Sequence, residues 1–198
     1  TYYPGLLDRW KIGRDMKMLR GPDGRVWMIS GTVRNRAFSR SGMDLDWIKI
    51  LQTDPDQPAV LFNFEQHAAP FGKEDIHQID EGEGGSLKFF WRDGKVYRYD
   101  GQSFEKLYES KHGLPVSHYL KAYPGLYWVG EDKYLSLVNE EGRTLERDTL
   151  PCPVFFLYTS ETGDAYINGG VIPIVKKEGD SQVDYHSRIY VKQMGKDP

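Results

Sequence analysis

Five histidines, at positions 67, 77, 112, 118 and 186, are the side chains best able to move a proton near neutral pH or to ligate a metal. None pairs with another at the H-x-x-x-H or H-E-x-x-H spacing that sets two imidazoles on one helix face. No local metal motif is present, so on those grounds no metal is expected, the alternative being a site that separate blade-like repeats assemble at a central channel; no other cofactor is expected. His112 falls in a turn, whereas His67 and His77 fall in a long connection, and loops held on a rigid scaffold often carry function. Arg34 and Arg36 form a second candidate: two residues apart on a strand they share a face, and their planar forks suit a carboxylate or a sulfate. Arg40 extends the cluster. Such arginines would take an anionic saccharide, with the rings of Trp47 or Tyr97 stacking on a sugar face.

The other polar groups point to no defined chemistry. Asp44, Asp46, Asp54 and Asp56 surround one loop, and Asp75, Asp80, Glu81 and Glu83 form an acidic run; both lack the spaced Asp/Asn-Gly pattern of a calcium loop. Glu81-Gly-Glu-Gly-Gly85 lacks the Gly-Lys-Ser/Thr ending and the following helix of a phosphate cradle. Cys152, the one cysteine, lies between Pro151 and Pro153 with no basic neighbour, which suits a buried inert thiol and excludes an intrachain disulfide.

The elements that must position these groups are strands. Short runs rich in aromatic and β-branched residues alternate with turn dipeptides such as Asp93-Gly94 and Asp100-Gly101, the pattern of an antiparallel meander. Leu87 and Phe89 fall on one face at the period of two that a half-buried strand shows. Four segments repeat a turn glycine followed by a short apolar strand, beginning at Gly24, Gly85, Gly125 and Gly163. The last two spacings are near the period of a four-stranded propeller blade, about 40 to 50 residues. The first is longer, and residues 52–84 read as an insertion: prolines at 55, 58 and 70 argue against a continuous central strand, leaving one strand at 59–64.

Composition narrows the class. Hydrophobic residues make up 39%, aromatics 14%, and 21 glycines join 11 prolines, which suits many short strands and turns in a packed fold. A net charge of -3 supplies no general attraction for nucleic acid or an anionic membrane. No run of about 18 apolar residues offers a membrane-crossing helix. The opening Thr1-Tyr2-Tyr3-Pro4-Gly5 lacks a basic and an apolar leader region and reads as a mature or trimmed end.

Asp23-Gly24-Arg-Val-Trp27-Met-Ile-Ser-Gly31, Tyr97-Arg98-Tyr99-Asp100-Gly101 and His112-Gly113-Leu114-Pro115 resemble the two-component regulator propeller repeat, and Trp128-Val129-Gly130 is a fair match to it. The likeness covers about 16–51 and 85–175. Tyr166 stands where the repeat has tryptophan, and Asn168-Gly169 where it has Gly-Thr. In a blade, Trp27, Trp91 and Trp128 would fill the space between neighbouring sheets.

These residues together predict an all-β chain, a β-propeller or propeller fragment with about four blade-like repeats at 16–51, 85–115, 116–150 and 151–192 in one domain over 1–198. The resemblance implies a periplasmic or extracellular sensor region recognising carbohydrate breakdown products, a non-catalytic role. A propeller glycoside hydrolase or polysaccharide lyase is the enzymatic alternative, and a protein-binding scaffold, marked by a large exposed apolar patch, is the other. Candidate ligand residues are Arg34, Arg36, Trp47, His67, His77 and Tyr97. The expected partners are a small-molecule or oligosaccharide ligand and further blades or other copies of the chain, because a blade face left open would drive association.

Overall fold

The computed structural model describes residues 16–36, 39–54, 56–151, 153–154, 156–173 and 185–194. Among them every extended element is a β-strand, with single turns of 3-10 helix at 73–75 and 83–85 and no helix long and apolar enough to cross a membrane. The first sheet joins β1 (Met16–Arg20), β2 (Val26–Arg36), β3 (Ser39–Leu51) and β4 (Ala59–Leu61). The second joins β5 (Ile76–Glu81), β6 (Leu87–Trp91), β7 (Lys95–Tyr99) and β8 (Phe104–Glu109). The third joins β9 (Val116–Tyr123), β10 (Leu126–Glu131), β11 (Tyr134–Asn139) and β12 (Thr144–Thr149). The fourth joins β13 (Phe156–Thr159), β14 (Ala165–Pro173) and β15 (Tyr185–Lys192). Strands lie side by side in chain order within each sheet. The chain is therefore all-β, with four blade-like antiparallel repeats of the β-propeller type.

The repeat visible in the sequence has a common geometry. Gly24, Gly85, Gly125 and Gly163 each stand just before the second strand of a sheet, with φ of 76°, 81°, 77° and 85°. A side chain is disfavoured in that left-handed region, so glycine sets the reversal into the second strand.

Residues 52–84, expected as an insertion with one strand, instead hold β4, which completes the first sheet, and β5, which opens the second. Pro58 and Pro70 bracket β4 without interrupting it: Gln52 N–H donates to the Pro58 carbonyl at 3.0 Å, a bond for which Pro58 needs no N–H. Strand β4 itself stops at Leu61, and 63–69 form turns in which Asn63 Oδ1 accepts from the backbone of Glu65 and Gln66.

The chain divides into two compact units, 1–106 and 107–198, with the division inside β8. In the first unit Trp27, Ile29, Leu19 and Ile50 of the first sheet pack in one core with Leu87 and Phe89 of the second. Phe62 plugs that core, its ring 5.0 Å from Trp27 and 5.6 Å from Tyr99. In the second unit Trp128, Leu135 and Leu137 of the third sheet pack with Leu157, Ala165 and Ile167 of the fourth. Trp128 Nε1 donates to the Gly163 carbonyl at 2.8 Å, satisfying the buried indole N–H.

Candidate functional site

The residues singled out for ligand chemistry have separate environments. Arg34 and Arg36 lie on β2, opposite Gly42 and Ser39, and their side chains, like that of Arg40, are outside the described residues, as is Cys152. Trp47 is half-buried on β3 opposite Ser30, with the Lys49 ammonium 4.6 Å from its ring centre. Tyr97 is buried on β7 with its ring 5.0 Å from Phe71, as part of the first unit's core. His77 is buried on β5 and, with Ile29, Leu45 and Gln78, lines a cavity of about 10 Å³, room for one water. Of the six, only His77 lines that cavity.

His67 is tied into the core. Its ring stacks on Phe62 at 4.7 Å and its Nδ1 lies 2.8 Å from the Tyr99 hydroxyl oxygen. Tyr99 O–H donates to the Gly101 carbonyl at 2.8 Å, so the network assigns His67 Nδ1–H as the donor to Tyr99. Burial first, and then the charges of Asp100 and Asp23, push the Tyr99 hydroxyl up to about 12. Asp100 is held below the usual carboxylate range by the Ser103 and Gln102 backbone N–H groups that cap its turn. Burial alone would raise Asp23, but hydrogen bonds from Arg25 outweigh it and hold the carboxyl low. The buried Trp27 indole N–H reaches toward Asp23 without meeting hydrogen-bond geometry.

Two features escaped sequence reasoning, and both lie in the second unit. Glu131, at the end of β10, is fully buried. Its Oε1 accepts from Tyr108 O–H at 3.1 Å and its Oε2 lies 3.4 Å from the Arg147 guanidinium, which sits 4.2 Å over the Tyr134 ring. Burial, followed by the Glu131 charge, raises the Tyr108 hydroxyl well above its ordinary value. Lys192 of the fourth sheet lies beside Glu146 and 3.0 Å from Asp148 of the third, and Glu146 first, then Asp148, raises the ammonium. In both clusters the charges answer each other.

The second feature is the open face of the fourth sheet. Register places Phe156, Asn168 and Ile189 in one row and Tyr158, Tyr166 and Val191 in the next, all on one face. Phe156, Tyr158 and Ile189 are 68%, 67% and 70% exposed, while Leu157, Ala165 and Ile167 on the reverse face are buried. Large apolar side chains thus lie aligned in rows on a solvent-facing sheet.

No family model matches the chain. No curated protein matches it either. Among solved structures it is similar to a protein of unknown function from Bacteroides caccae, with TM-score 0.46 and 14% identity over 79% of this chain and 57% of that one. It is also similar to a luciferin-regenerating enzyme, with TM-score 0.49 and 12% identity over 96% of this chain and 64% of that one. The chain thus spans less than two thirds of either neighbour. Both scores lie below one half, and the fold class rests on the chain's own four sheets.

Proposed function

We propose that the chain is a non-catalytic binding module that engages another protein through the open face of its fourth sheet. The observation that carries this reading is the exposure of Phe156, Tyr158 and Ile189 in register on a face whose reverse is core. The titratable groups support it: His67 is hydrogen-bonded to Tyr99, and Glu131 is hydrogen-bonded to Tyr108 and ion-paired with Arg147, so these side chains are committed to holding the fold. A second reading makes the same face a carbohydrate platform in a sensor region, the role the repeat resemblance implies. Tyr158 and Tyr166 favour it, with exposed rings 6.3 Å apart on neighbouring strands.

A fluorescence and thermal-shift pair tests the choice. The folded chain should bind the apolar dye 1-anilinonaphthalene-8-sulfonate, Tyr158→Lys should weaken that binding, and an oligosaccharide panel should leave the melting temperature unmoved. A sugar that raises the melting temperature of the wild type and not of Tyr166→Ala would replace the protein reading with the carbohydrate one.

A further inference from the structure

The molecule contains its own rule for which sheet face covers which. In the first unit, Trp27 and Ile29, three and five residues after Gly24, pack with Leu87 and Phe89, two and four residues after Gly85. In the second unit, Trp128, three after Gly125, packs with Ala165 and Ile167, two and four after Gly163. In both units the odd face of one sheet is covered by the even face of the next. The odd face of the fourth sheet, carrying Tyr166 three residues after Gly163, is the open one. An open even face is present too: on the first sheet Val26, two after Gly24, and on the same face Met18 and Leu61 are 40%, 61% and 65% exposed around the buried Met28.

We propose that these two faces dock between copies of the chain, the fourth sheet of one copy on the first sheet of the next, repeating the sheet-on-sheet contact that each unit already contains. The inference rests on the fourth-sheet face being the binding surface, and adds the partner: a second copy, joined head to tail. Such an interface is heterologous, so a pair keeps one free face of each kind, one on each copy, and association can continue beyond two. A symmetric pairing of two fourth sheets would make no use of the first.

Light scattering on the 198-residue chain over roughly 1 to 200 μM, the range in which a modest interface populates, tests this. The mass should rise with concentration from 22.9 kDa to twice that value and beyond. Tyr158→Lys and Leu61→Lys, both at exposed positions, should each remain at single-chain mass, and an equimolar mixture should regain a 1:1 dimer and stop there. Phe156→Lys and Met18→Lys repeat the design should either first variant lose its far-ultraviolet β signal. Association unchanged by the first-sheet variants would overturn the head-to-tail pairing. A wild type monomeric throughout overturns it too; dye binding lost in Tyr158→Lys would then leave the open-face reading standing, and its absence would remove both.

Discussion

Tyr99 donates its proton to the Gly101 carbonyl and accepts from His67, so the hydroxyl links the end of β7 to the turn at 63–69. Replacing it as Tyr99→Phe leaves a ring nitrogen and a carbonyl to find new partners, a loss of about 1–2 kcal/mol in urea unfolding at pH 8. The pH dependence has a definite sign. A folded hydroxyl at about 12 lies above its ordinary value of 10.0, so the fold favours the neutral form. That contribution is whole below pH 10 and is lost as pH climbs from 10 to 12, and Tyr99→Phe should show a shallower decline over the same interval. Equal slopes would assign the alkaline loss to other groups. Glu131→Ala strands Tyr108 and Arg147 together. We expect about 2–3 kcal/mol, below the roughly 3–5 of a fully enclosed ion pair, because the Arg147 side chain keeps 24% exposure. A loss under about 1 kcal/mol would mean that water replaces the carboxylate at no cost. At this scale the sequence was least informative. Residue type marks His67 and Tyr97 as a polar and an aromatic group on a loop and a strand, but it does not say which side faces the core, and both turn inward. Glu131 gives no local sign of its role, since its partners arrive from β8 and β12.

At the scale of elements, turn glycines were the most legible feature. Each of the four marks the entry to a second strand, because a left-handed φ leaves a signature in residue type that a packing contact does not. Their surroundings differ, and so should their tolerance. A Cβ at Gly85 would meet nothing within 4 Å, so Gly85→Ala should lose only the conformational term, about 1 kcal/mol. At Gly163 a Cβ would come within 2.8 Å of the Ala122 carbonyl oxygen and 3.0 Å of the Met194 methyl, adding about 1–3 kcal/mol of overpacking. Thermal melts of the two variants should therefore separate by several degrees. Coincident melts would show that β9 yields freely at Ala122. Strand β5 was hidden for a related reason: Ile76-His-Gln-Ile-Asp-Glu81 has isoleucines three apart and polar residues between, so it lacks the period of two. A register shift between Ile76 and Gln78 explains the lapse, for it lets both Ile76 and His77 be buried.

Across the whole molecule, burial is uneven in a way that follows sheet order. The second sheet buries Leu87 and Phe89 on one face and Phe90 and Val96 on the other, and the third buries Leu135 and Val138 on opposite faces. The first and fourth each keep one apolar face open. The sequence repeat anticipates blades and the risk of an open face, but the row of Phe156, Tyr158, Ile189 and Val191 depends on a register between β13, β14 and β15 that no local pattern encodes. The character of that face fixes how association should respond to salt. A net charge of -3 gives weak repulsion between copies, and the docking faces are mainly aliphatic and aromatic. Sodium chloride at about 0.5 M, where charges are screened within a few ångströms, should leave the mass unchanged or slightly raised. Sulfate, excluded from apolar surface, should raise it at equal ionic strength. Dissociation in sodium chloride would place the attraction instead on cations beside the first-sheet face, of which Arg20 is opposite Val26 and Lys49 opposite Met28 and Leu61.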